Sequence, residues 1–120
     1  MPDRVRNVQQ LHERLILFGV AVCESLEKLR HDRITDHFAM QLLRCATSPA
    51  AHYGEARAAE SRRDFIHKLQ LCLKELRESE VWLRYLSALR APDCTSLRAE
   101  CNELIAIFVA SLKTAKRNGI

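Results

Sequence analysis

Apolar residues return every three or four positions along almost the whole chain, and only three glycines and three prolines interrupt its 120 residues. That period lines one face of a helix, whereas strands need alternation and a steady supply of turn formers. The chain is therefore expected to be all-α, and the spacing divides it into four segments. Val8, Leu11, Leu15, Phe18, Val22 and Leu29 form a first seam, with Ser25 as its one gap. Phe38, Leu42, Cys45, Pro49 and His52 form a second, and Phe65, Leu69, Cys72, Leu76, Ser79, Leu83 and Leu86 a third. Leu97, Cys101, Leu104, Phe108 and Leu112 complete the set.

Stop and start signals place the helices at about residues 6–30, 36–55, 61–90 and 95–117. The polar run from Arg30 to Arg33 ends the first helix, and Thr35 or Asp36 is expected to cap the second. Ser61 with Asp64 fits a capping box before Phe65, Ala91-Pro92-Asp93 breaks the third helix, and Thr95 or Ser96 is expected to cap the fourth. Lys113, Lys116 and Arg117 oppose the negative end of that helix's dipole. Pro49 removes a hydrogen bond inside the second helix and predicts a kink or local irregularity between Cys45 and Ala50. A chain of this length supports one domain, residues 1–120, and short loops favour an antiparallel up-down-up-down four-helix bundle.

Several functional classes lose ground. The longest apolar stretches, Leu15–Cys23 and Leu104–Ala110, fall short of the roughly 20 residues a membrane span needs, and the N-terminal ten residues lack an apolar leader core. A cytoplasmic protein without a membrane partner is expected. The five cysteines make no C-x-x-C pair, and Cys23, Cys45, Cys72 and Cys101 fall on apolar positions, as reduced core residues do. His12, His31, His37 and His67 are scattered, and His52 reads as a hydrogen-bonded core histidine, so neither metal nor cofactor is expected. No phosphate loop, nucleophile elbow or zinc-protease motif is present, so no catalytic residue is assigned and an enzyme is not expected.

Two features point to binding. Leu104-Ile-Ala-Ile-Phe-Val-Ala110 is apolar around nearly two turns, and Trp82, Tyr85 and Leu89 form an apolar strip. These predict a homo-oligomer with Trp82, Tyr85, Ile105, Phe108 and Val109 in its interface, or a surface for a protein partner. Leu15–Val22 has the same character and fits either a central helix or an interface.

The formal charge is +4 with a pI near 9.0. Arg57, Arg62, Arg63, Lys68 and Arg77, with Arg84 and Arg90, give the third helix and its approach a basic bias, interrupted by Glu60, Asp64, Glu75, Glu78 and Glu80. This is either a solvated face with intrahelical pairs such as Glu80 to Arg84, or a phosphate-binding surface for RNA or DNA. On the second reading, charge reversal at Arg62 and Arg63 abolishes salt-sensitive binding. Arg44, Ser48, Ala51 and Glu55 form a largely polar stripe on the second helix, either a recognition surface or a flank paired with Glu75, Glu78 or Arg77. A small-ligand pocket near His52 and Tyr53 is a third class.

Gln41-Leu-Leu-Arg-Cys-Ala-Thr-Ser-Pro-Ala-Ala-His-Tyr-Gly-Glu55, Ser61-Arg-Arg-Asp-Phe-Ile-His-Lys-Leu-Gln70 and Lys74-Glu-Leu-Arg-Glu-Ser-Glu-Val-Trp-Leu-Arg-Tyr-Leu86 resemble the bacterial four-helix bundle family labelled ribosomal or 23S rRNA intervening-sequence proteins. Gln41, Leu42, Arg44, Ser48 and Glu55 match that family's pattern, and His52 falls within the same polar stripe. Cys45, Pro49, His52, Tyr53 and Ala56 replace its alanine, isoleucine, asparagine, isoleucine and glycine. The resemblance implies a four-helix bundle, assembly as a homopentamer and no established enzymatic activity. It also implies a partner in a nucleic-acid-processing protein, since a related branch serves as accessory subunit to the reverse transcriptase of diversity-generating retroelements.

Overall fold

The computed structural model describes residues 3–89 and 93–118, with side chains from Val8 onward. Four long helices fill it: α1 (Asp3–Glu27), α2 (Arg33–Arg57), α3 (Arg62–Leu89) and α4 (Thr95–Arg117). No strand occurs among the described residues. The expected break at Ala91-Pro92, and Arg90 beside it, lie outside them.

The ends of the helices follow local hydrogen bonding. Lys28 and Leu29 donate their N–H groups to carbonyls three residues back, at Ser25 and Leu26, so α1 closes in a tightened turn before Arg30. Asp32, and not Thr35 or Asp36, caps α2: its Oδ1 accepts the Thr35 N–H at 2.8 Å. Thr35 is already inside the first turn, where the unpaired amides that need a cap reside. Ser61 Oγ accepts the Asp64 N–H at 3.0 Å. At α4 the acceptor is Asp93, whose Oδ1 takes the Thr95 N–H at 2.9 Å; Thr95 and Ser96 belong to the helix itself. Hydrogen bonds from the Thr95 side chain and backbone hold the Asp93 carboxyl below the usual carboxylate range.

Each helix packs against its neighbours in sequence, most extensively α2 on α3, while α4 returns to touch α1 sparsely. Along α2, Phe38 meets Tyr85, Cys45 meets Ser79, Pro49 meets Cys72 and Glu55 meets Lys68. Along α4, Arg98 meets Glu80, Cys101 meets Leu76 and Ala115 meets Arg62. The expected seams of α1, α3 and α4 are the core, with Leu15, Phe18, Val22, Leu69, Leu76, Leu83, Leu104 and Phe108 all buried.

The α2 seam departs from expectation in its second half. Tyr53 and Ala56 are buried after Pro49, and His52 sits on the flank, half-exposed and 3.3 Å from Glu55. A 3.6-residue helix drifts against a strict seven-residue repeat, so the buried position moves from 52 to 53. Tyr53 then meets the Phe108 ring edge-on at 5.7 Å. Across Pro49 the helical assignment runs unbroken. Thr47 Oγ1 donates to the Leu43 carbonyl at 2.8 Å and Ser48 Oγ to the Arg44 carbonyl at 2.7 Å. These hydroxyls bond carbonyls in the turn that the missing proline N–H weakens.

The thiols of Cys45, Cys72 and Cys101 lie in the core and donate to carbonyls of Leu42, Pro49 and Leu76. Burial pushes Cys45 up to about 11 and Cys72 and Cys101 up to about 12. At neutral pH they are protonated and behave as small hydrophobes.

The α4 apolar run is covered in part: Leu104 and Phe108 are buried, while Ala106 and Ala110 are exposed. Phe108 is 0% exposed and Ile105 and Val109 are half-buried, because α4 packs chiefly on α3 and more sparsely on α1. Phe108 therefore belongs to the core and not to an interface. Other large apolar side chains left in solvent are Ile16, Leu17 and Val20 on α1, and Ile34, Met40, Val81, Tyr85 and Leu89 toward the start of α2 and the end of α3.

Candidate nucleic-acid interface

The outward face of α3 carries Arg63, His67, Gln70, Lys74, Arg77, Val81, Arg84 and Ala88, all exposed and spaced by three or four residues. At 1.5 Å per residue, Arg63 to Arg84 spans about 32 Å. No carboxylate stands in this row. Of the acids that break the basic pattern in the sequence, Glu75, Glu78 and Glu80 lie on the flanks of α3 and face neighbouring helices. Glu75 and Glu78 both meet Arg44 of α2, at 3.3 and 2.9 Å. Glu80 meets Arg98 of α4 at 3.2 Å, so the expected intrahelical pair with Arg84 does not form. Arg63, Lys74, Arg77 and Arg84 make no ion pair among the described residues.

The five cations singled out from sequence do not share one surface. Arg63 and Arg77 stand in the outward row. Arg62 is exposed but donates Nη1 to the Ala115 carbonyl at 2.9 Å, tying the start of α3 to the end of α4. Lys68 lies on the α2 flank, 3.9 Å from Glu55. Arg57 Nη1 is 3.2 Å from His12 Nδ1, whose Nε2 is 3.0 Å from the Ala50 carbonyl. Because a carbonyl only accepts, the proton of neutral His12 sits on Nε2 and Nδ1 accepts from Arg57. Lys74 belongs to the row although sequence reasoning passed over it. Its spacing of eleven residues from Arg63 and three from Arg77 is the signal that places it there.

The polar stripe of α2 is turned largely to structural use. Arg44 bridges Glu75 and Glu78, the Ser48 hydroxyl bonds its own helix, and Glu55 lies between His52 and Lys68. Gln41 is half-buried. The Glu75 side chain is only 11% exposed, and Arg44 is the cation that compensates its charge.

Phe38, Trp82 and Tyr85 form a compact aromatic group. Phe38 and Tyr85 stack at 4.6 Å and 12°, and Trp82 tilts against both at 5.8 and 5.7 Å. Tyr85 remains 49% exposed, at the edge of the cationic row. At the opposite end, Tyr53, Arg57, Arg62, Phe65 and Thr114 line an open cleft of about 850 Å³; His52 is not part of it. Among the described residues no group of three or more His, Cys, Asp or Glu is arranged to hold a metal, and no helix is long and apolar enough to cross a membrane.

These features define a class: an all-α protein of four long helices with, on one side of α3, a row of cations that are unpaired among the described residues. The chain belongs to the 23S rRNA-intervening sequence protein family, whose family model matches residues 9–110. It is similar to a crystallised protein of unknown function from the S23 ribosomal protein family of Bacteroides thetaiotaomicron. The two share 26% identity and a TM-score of 0.78, over 88% of this chain and 97% of that one. No match is found among curated proteins.

Proposed function

We propose that this protein is a non-catalytic, antiparallel up-down-up-down bundle that binds RNA or DNA through the outward face of α3. The observation that carries the reading is the separation of charge on that helix: Glu75, Glu78 and Glu80 are compensated by Arg44 and Arg98, while Arg63, Lys74, Arg77 and Arg84 remain unopposed in a row. Phosphates bound along such a row release counterions, which makes affinity fall with salt. The descending order of the contacts between α2 and α3, and between α3 and α4, supports the antiparallel topology.

Self-association is the second part of the reading. Ile16, Leu17 and Val20 expose 42, 56 and 46% of their surface on one side of α1, and an oligomer would cover them and repeat the α3 row around its axis. A homopentamer is the form that the family resemblance suggests.

The test is anisotropy titration of a labelled RNA with Lys74→Gln/Arg77→Gln, with Arg62→Gln as the control for a cation engaged in the fold. The double variant is expected to bind more weakly with a shallower salt dependence. Arg62→Gln is expected to lower the melting temperature and keep the salt dependence. Equal weakening by both would remove the special place given to the outward row. In parallel, light scattering of Leu17→Glu is expected to show a smaller mass than the parent protein.

A further inference from the structure

The cationic row ends at an aromatic side chain that its neighbours hold in place. Tyr85 is stacked flat on Phe38 and braced by Trp82, yet half of it faces solvent beside Val81 and Arg84. Beside it, Val81, Arg84, Tyr85, Ser87, Ala88 and Arg98 line an open groove of about 600 Å³. A ring fixed in this way loses little freedom when a second flat group lies on it, and Arg84 supplies a cation next to it. Duplexes keep their bases stacked inside, so only an unpaired base can use such a ring; a duplex would engage the row through phosphates alone.

We propose that Tyr85 is a stacking platform for an unpaired base, so that the α3 surface prefers single-stranded nucleic acid, with its phosphates on Arg84, Arg77 and Lys74. This rests on the reading of the row as a phosphate-binding surface and names the form of nucleic acid it takes. The charge complementarity of the row with a phosphate backbone selects this occupant over an apolar protein segment, which would leave four cations unpaired.

The experiment compares a labelled oligouridylate and a blunt RNA duplex of equal length, titrated into wild type, Tyr85→Leu, Tyr85→Phe and Arg77→Gln. Loss of one base stack is expected to weaken oligouridylate binding by roughly tenfold or more in Tyr85→Leu. Duplex affinity and the salt dependence should not change, and Tyr85→Phe should bind as wild type. Trp82, the only tryptophan, lies beside Tyr85, so its fluorescence should change on adding oligouridylate to wild type and respond less in Tyr85→Leu. If Tyr85→Leu binds oligouridylate as wild type does while Arg77→Gln weakens it, the stacking platform is wrong and the cationic row stands. Equal weakening toward strand and duplex in Tyr85→Leu would also overturn the platform. Should wild type bind neither probe, the row itself is refuted and the platform with it.

Discussion

Phe108→Ala separates a core role from an interface role for α4. The side chain is 0% exposed within one chain and meets Tyr53 edge-on at 5.7 Å, so truncation empties a space walled by other core residues. Buried Phe→Ala changes cost about 3–5 kcal/mol, and loss of the ring pair places this one near the middle or above, at about 4 kcal/mol. That is a large part of the ~5–15 kcal/mol that holds a domain folded. At this length it corresponds to a drop in melting temperature of about 15 °C. The assay is thermal and chemical denaturation followed by far-UV circular dichroism, paired with light scattering of the native variant. The expected outcome is a much less stable protein whose native mass is unchanged. A variant that melts within a few degrees of wild type but has a smaller mass would place Phe108 between subunits and refute the packing described.

Asp32→Ala removes the carboxylate that accepts the Thr35 N–H and is expected to cost about 1 kcal/mol, whereas Asp32→Asn should be nearly neutral, both read by denaturant titration. Gly19→Ala is expected to stabilise by about 0.5–1 kcal/mol through helix propensity, since the added carbon meets Ala46 O and Thr47 Cγ2 at an ordinary 3.5 Å; a lower melting temperature would contradict that packing. The buried thiols predict an alkaline limit. With folded values near 11 to 12 for Cys45, Cys72 and Cys101, the unfolded chain loses these protons first, so stability is present below about pH 8.5 and declines by about 1.4 kcal/mol per pH unit per thiol above it. Thiol labelling at pH ~8 should leave these three unmodified until the protein is unfolded.

The helices were legible because burial in a bundle is written in the sequence as spacing: Leu97, Cys101, Leu104, Phe108 and Leu112 run along one face, and all are buried. Caps were less legible, since Asp32, Thr35 and Asp36 are all competent acceptors and only the first turn's start decides which amide needs one. Phe108 read as an interface residue and is a core one, because an apolar circumference is produced equally by an oligomer contact and by neighbours within one chain. The basic surface was legible as composition but not as geometry. Whether Glu80 pairs with Arg84 on its own helix or with Arg98 on the next depends on how α4 is set against α3, which spacing within α3 does not encode. Lys68 and Arg62 looked equivalent to Arg63 for the same reason, although they lie against Glu55 and the Ala115 carbonyl.

The most direct test of the α3 surface is the salt dependence of single-stranded RNA binding, measured for wild type and for a variant with Arg63, Lys74, Arg77 and Arg84 all changed to glutamine. Four single-strand phosphate contacts at about 0.7 each give a log–log slope of about −3, or roughly a 50-fold loss of affinity between about 50 and 200 mM salt. Wild type is expected to show at least that slope and the fourfold variant a nearly flat dependence. Equal slopes in the two proteins, with the variant still folded, would show that binding does not use the outward face of α3.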